Sequence, residues 1–354
     1  MSEPQLPSLQ GAVCPVPLSH QGQIVLGHGS GGRMSHELIA RAFLPSFSNP
    51  PLEAGDDAGV VQPNACKRLA ISTDAHVVSP LFFPGGDIGR LAVCGTVNDV
   101  SMLGAIPLYL TASFILEEGL EMEVLSRVIA SMQQAAGEAG VQIVAGDTKV
   151  VQRGKADGLY IQTTGVGMVP LGLELGGRLA KAGDVVILSG TIGDHGMAVL
   201  AARGELGLEV DLVSDVAPLN GLVATMLEAG EIHVLRDPTR GVLATSLNEI
   251  ARQSQVCITI QEEHIPVRPE VSAACEILGF DPLYVANEGK LVAILPAKDA
   301  EAVLKAMRSH PYGKEALIIG TVQEAPKGRV LMRTRLSSTR MVDMLAGEML
   351  PRIC

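Results

Sequence analysis

The chain has 354 residues, 47% of them hydrophobic and 18% charged, a balance that excludes a disordered or low-complexity polypeptide and, at roughly 100–200 residues per domain, predicts two domains. With 27 Lys+Arg against 38 Asp+Glu the net charge is -11, and phosphate backbones are held mostly by basic side chains, so nucleic acid is not an expected partner.

In chain order, the opening MSEPQLPSLQ is polar and the first basic residue is Arg33, unlike a signal peptide. RLAIST (68–73) predicts a strand running into Asp74, and Ile88, Leu91, Ala92, Gly95 and Met102 predict a helix over 87–103 behind an Asp87 cap. YLTASFIL (109–116) reads as a strand, while Leu125, Val128, Ile129, Met132 and Ala136 make the apolar face of a helix that Gly140 stops. VQIVAG (141–146) and LYIQTTGVGMV (159–169) close the first half as strands, and 170–180 is the expected linker. The second half predicts strands at 184–190, 256–260, 291–296 and 316–322, with helices at Asp194 to Arg203, 218–229, 238–254 and 299–309. Two α/β halves follow one another without a sequence repeat, and EMLPRIC after Gly347 forms a terminal tail. The longest strongly apolar uncharged stretch, Val100 to Leu116, is interrupted by Ser101, Gly104, Pro107 and Ser113 and falls short of the ~20 residues of a membrane span. Six cysteines without a CxxC pair or zinc-ligand spacing point to a reducing, cytoplasmic compartment.

Acidic residues recur beside glycine or at element ends: Asp56 and Asp57 in GDDAG, Asp74 in STDAH, Asp99 in NDV, Asp147 in GDTK and Asp237 in RDPTRG. Mg²⁺ prefers oxygen ligands and commonly bridges one or two carboxylates to substrate phosphates, so a convergence of these acids implies a magnesium-bound polyphosphate. For any one of them alone a turn or cap residue is the plainer reading; Asp237 before Pro238 has the makings of a helix N-terminus. GHGSGG (27–32) leaves backbone N–H groups free to approach phosphate, though it is not a Walker loop. Lys149 and Glu288 are the candidate reactive side chains of the two halves, and salt bridges explain them as well. Cys354, the last residue, is a thiol that a mobile tail can carry into a site, or an accident of the terminus. His195 reads as a helix-entry residue, Asn98 and Asn248 as packing or turn residues.

GHGSGG, GDDAG, STDAH, GTVNDVSMLGA, GDTKV, RDPTRG, NEGK and the ending PRIC, in this order, resemble the HypE family of hydrogenase maturation proteins, within the AIR-synthetase-like (PurM-like) superfamily. The resemblance runs from about residue 24 to 354, PRIC is its discriminating motif, and Val242 departs from the family's RDPTRGG, for which a local packing change is expected. It implies a two-domain α/β (α+β) PurM-like fold divided as an N-terminal segment with the glycine-rich loop (1–45), a ferredoxin-like ATP-binding and dimerisation domain (46–170), a C-terminal α/β domain (181–340) and a flexible tail (341–354). It further implies a homodimer whose first sheets join into a β-barrel.

The implied reaction is ATP-dependent dehydration of a carbamoyl group on Cys354 to a thiocyanate. The partner HypF supplies the carbamoyl group, and the product is the cyano ligand for iron on a HypC–HypD complex. Carried over by position, Gly29, Ser30, Gly31 and Gly32 match the phosphate-covering loop, and Asp56, Asp57, Asp74, Asp99, Asp147 and Asp237 match the acids that handle Mg²⁺ and ATP. Thr148 joins the nucleotide set, and Lys149 and Glu288 match positions that assist dehydration. Two other readings stand beside this one: a small-molecule synthetase or kinase of the same superfamily, and a non-enzymatic cyano-group carrier.

Overall fold

A computed structural model describes residues 31–47, 49–64, 67–204, 212–239, 241–345 and 353. After short helical turns between Arg33 and Glu53, the described residues build two large sheets and a two-stranded ribbon in which Phe82–Phe83 pairs with Gly86–Asp87. The first is β1 (Gly59–Asn64), β2 (Lys67–His76), β3 (Ile106–Glu117), β4 (Gln142–Val151) and β5 (Leu159–Val169), in the order β1-β2-β5-β3-β4. Helices α1 (Ile88–Met102) and α2 (Met122–Ala139) belong to this half. As expected, Asp87 caps α1, its carboxylate accepting from the N–H groups of Gly89 and Arg90 at 2.7 and 3.1 Å, and Gly140 ends α2 in a left-handed conformation at φ 70°.

Side chains alternate across a strand, and β2 shows the consequence: Ala70, Ser72 and His76 are buried on the face that meets α1, whereas Ile71, Thr73 and Ala75 are exposed. The opposite face of the sheet is therefore open, and the edge strand β4 is exposed from Gln142 to Val150. One chain leaves β1 and β4 as two separate edges, so the expected barrel is not closed within it.

The second sheet is β6 (Asp184–Leu188), β7 (Val234–Arg236), β8 (Cys257–Gln261), β9 (Val292–Pro296), β10 (Leu317–Gln323), β11 (Arg329–Arg333) and β12 (Thr339–Val342), ordered β12-β11-β8-β10-β6-β9-β7. Its helices are α3 (Asp194–Ala202), α4 (Asn220–Ala229), α5 (Val242–Ser254), α6 (Pro269–Leu278) and α7 (Ala300–Ser309). Val186, Ile187 and Leu188 are all fully buried, so β6 is covered on both faces, unlike the strands of the first sheet. The halves are pinned by Asn98 on α1, whose amide donates to the carbonyls of Ala217 and Glu288 and accepts from the N–H of Leu219 at 2.7 Å. Among the described residues no helix is long and apolar enough to cross a membrane.

Candidate functional site

Four acids from separate stretches meet where α1 and the first sheet face the second domain: Asp57 before β1, Asp74 on β2, Asp99 on α1 and Asp237 directly after β7. Ser72, on the α1 side of β2, donates its hydroxyl to Asp99 Oδ2 at 2.6 Å. Burial pushes the Asp99 carboxyl well above the usual carboxylate range, and the charges of Asp237, Asp74 and Asp57 push it the same way. Burial and Asp57 raise Asp237 likewise, against the opposing pull of Arg236. Asp57 is raised to about 6 by burial, again with Arg236 opposing.

Arg236 is the local countercharge. Its guanidinium lies 2.7 Å from Asp57, 3.5 Å from Glu249 and 4.0 Å from Asp56, and the residue is only 6% exposed. Burial would weaken its proton affinity, but those acids hold it above the ordinary arginine value. Asp56 is fixed from the linker side by the N–H of Gly177 at 2.8 Å. Asp57 Oδ2 and Asp237 Oδ2 are buried and have no hydrogen-bond partner among the described residues. Bare buried carboxylate oxygens are costly, and they suit a hard cation. No three His, Cys, Asp or Glu groups among the described residues make a ready metal cage. Mg²⁺ needs none, because it is usually held by one or two carboxylates together with substrate phosphates.

The other expected residues fall elsewhere. Asp147 pairs across the sheet with Ser113, Ser113 with Gln162 and Gln162 with Ala75, a row on the open face; Lys149 pairs with Ile115 on the same face. Within one chain, Asp147 and Lys149 thus point away from the side of β2 that carries Asp74. They form an ion pair of 3.4 Å with side chains 64% and 74% exposed, and the Thr148 N–H together with Lys149 keeps the Asp147 carboxyl below its ordinary value. Gly31 and Gly32 end the glycine loop. A Cβ on Gly32 would run into the Leu345 carbonyl, and the carbonyl of Gly31 lies beside Gly241 in the turn that carries Asp237. Gly29, Ser30 and Cys354 lie outside the described residues.

Glu288 is 3% exposed in the loop before β9. Its backbone N–H donates to Asp215 Oδ1 at 3.1 Å and its carbonyl accepts from Asn98 at 3.2 Å. Its carboxylate lies close enough to α1 that, with burial as the main cause, it helps to push the Cys94 thiol up to about 12.

Two expectations need correction, and two residues were not foreseen. Asp237 does not cap a helix: α5 begins at Val242 behind Gly241, without a side-chain cap. Val242 is more than a packing change, because its φ is +57°, a left-handed backbone that a β-branched residue seldom adopts and that glycine adopts freely. Arg236 was overlooked between apolar Val234-Leu235 and Asp237, although an arginine in a buried strand implies acids around it. His195 does enter α3 as expected, but it is fully buried and bonds to Ser214 and to Ile353, whose distance in sequence hid the contact.

The chain matches the family models "AIR synthase related protein, N-terminal domain" over residues 55–169 and "AIR synthase related protein, C-terminal domain" over residues 181–333. It is 56% identical to the carbamoyl dehydratase HypE of Cupriavidus necator over 334 residues, 94% of this chain and 95% of that protein. A crystal structure of a HypE–HypF complex shares 50% identity at a TM-score of 0.83, covering 87% of this chain and 99% of that one. A HypE crystal structure in complex with ATP shares 52% identity at a TM-score of 0.79, covering 94% of this chain and 100% of that one.

Proposed function

The chain belongs to the AIR synthase related family and, within it, to the HypE carbamoyl dehydratases, and from that premise we propose that it uses ATP to dehydrate a carbamoyl group carried on its own Cys354. The observation that carries this reading is Ile353. The residue before the acceptor cysteine is 8% exposed and sits at the seam of the two domains, so the tail returns to the body of its own chain.

In the reaction the carbamoyl oxygen takes the γ-phosphoryl group and departs as phosphate, while the nitrogen loses both protons to leave S–C≡N. Glu288 is the base for that nitrogen, held by the Asp215 and Asn98 contacts of its backbone. Asp57 and Asp237, with Asp99 and Asp74 beside them, hold Mg²⁺, and Asp56 steadies the site through Arg236 and Gly177. The bound ion supplies charge neutralisation along the phosphates, the main demand of phosphoryl transfer. Gly29 to Gly32 cover the phosphates.

Asp147 and Lys149 join the site from a second copy, whereas Thr148 aligns through Phe114 and Ile161 with His76 and so belongs to the α1 side of its own sheet. The open face of the first sheet and the bare β4 edge support a homodimer in which two such sheets close a barrel. The HypE–HypF complex supports HypF as the donor of the carbamoyl group, and the cyano group then passes to iron on HypC–HypD in the cytoplasm.

Glu288→Gln tests the assignment: ATP affinity is expected to stay within about twofold while thiocyanate formation falls by at least 10²-fold. Normal product by mass spectrometry would refute the base. A small-molecule kinase would keep its turnover after removal of residues 351–354, and a passive carrier would form no product from carbamoylated protein and ATP.

A further inference from the structure

Burial leaves His195 no solvent, so both ring nitrogens depend on what the fold offers. Nε2 lies 2.8 Å from the carbonyl of Ile353, which only accepts, so the proton is on Nε2. Nδ1 lies 2.8 Å from Ser214 Oγ, and Ser214 Oγ in turn accepts from the N–H of Val216 at 3.2 Å. The hydroxyl proton of Ser214 therefore points at Nδ1, and every bond of the relay runs in one direction, from Val216 to the tail. Phe83 packs edge-on against the imidazole at 5.4 Å between ring centres. Burial pulls His195 below its ordinary value, against Asp215 and the Ile353 carbonyl, which fits the neutral ring that this relay needs.

The same stretch that orients His195 also holds the Glu288 loop. Between Ser214 and Ala217, the Ser214 N–H donates to Pro84, Asp215 accepts from Glu288 and pairs with Lys290 at 3.2 Å, and Ala217 accepts from Asn98. A side chain at Gly289 would collide with the Asp215 carbonyl, so the two segments cannot shift independently. Ile353 adds an apolar hold, since its side chain belongs to the buried cluster of Phe83, Ile88, Leu91, Val199 and Val216.

We propose that His195 is a positioning residue for the tail: by holding the carbonyl of Ile353, one peptide bond before Cys354, it fixes how far the thiol-borne group advances toward Glu288. The inference rests on the proposed dehydration. His195 does not touch the reacting atoms; it acts on the chain that carries them.

The test uses the full-length protein and its carbamoyltransferase partner in single turnover, with wild type, His195→Phe, which keeps an aromatic ring against Phe83, and His195→Gln, which restores a donor. His195→Phe is expected to accept the carbamoyl group and to bind ATP as wild type does, but to dehydrate about tenfold more slowly, the loss of one buried hydrogen bond. His195→Gln recovers most of that rate. Maleimide alkylation of Cys354 should be faster in His195→Phe by a similar factor. Dehydration at the wild-type rate overturns the proposal, and so does an equal loss of ATP affinity, which marks a merely structural residue. If His195→Phe does not fold, His195→Asn carries the test: its shorter side chain cannot reach the Ile353 carbonyl, and slower dehydration is expected, an unchanged rate overturning the proposal. If wild type itself yields no thiocyanate, the proposed reaction fails, and alkylation still decides whether His195 seats the tail.

Discussion

The seam and the open face of the first sheet both carry aspartates, but they treat them in opposite ways. Asp57, Asp99 and Asp237 are raised by burial and by one another, whereas Asp147 on β4 is solvated, paired with Lys149 and lowered. Both sets come from short Asp-bearing motifs, so motif does not decide the difference. Cover does: α1 and the second domain close one face of the sheet, and the chain's described residues leave the other face bare.

The largest expected effect breaks the seam. Arg236→Met leaves Asp57 in the seam without its cation, while Glu249 keeps His36 at 2.7 Å, and should cost about 3–5 kcal/mol in urea unfolding. A loss under about 1 kcal/mol would mean that the seam acids are solvated.

A second effect follows from pH. The folded pKa of Asp57, about 6, lies above its ordinary 3.8, so its contribution is fully present below 3.8 and is lost as pH rises through about 6. Asp99 and Asp237 are shifted in the same direction. Nucleotide-free protein should therefore lose on the order of 1–3 kcal/mol between pH 4 and 7, and Mg²⁺ with ATP should restore it most at the higher pH. Stability that climbs across that window contradicts the assignment.

Asp237→Asn sharpens the contrast from within. Removing one repelled charge should stabilise the free protein by about 1 kcal/mol while weakening ATP binding in the presence of Mg²⁺ at least tenfold, read by calorimetry. The smallest effect belongs to the open face, where Lys149→Gln should leave the chain's own urea midpoint unchanged because the pair it breaks is exposed.

The sequence reading was strongest where local chemistry and burial agree. Asp87 caps α1, Gly140 stops α2, and the 159–169 strand appears with its predicted bounds. It missed β1, β7, β11, β12 and α6; β7 is three residues long and β12 four with only Val342 buried, too short to show a period. Within the site, the Asp motifs were visible but their facing was not, since a strand's inner and outer positions depend on which face gains a covering layer. That is how Asp147 and Asp74 were grouped together although the register separates them. Arg236 and His195 were illegible for a related reason: their partners lie 179 and 158 positions away in sequence, and single-sequence patterns carry no such contact.

Intact mass of the full-length chain, first carbamoylated and then given ATP and Mg²⁺, tests the central claim most directly. The expected result is loss of one water from the adduct on Cys354 in step with formation of one ADP. A carbamoyl adduct that persists while ATP is consumed would contradict it.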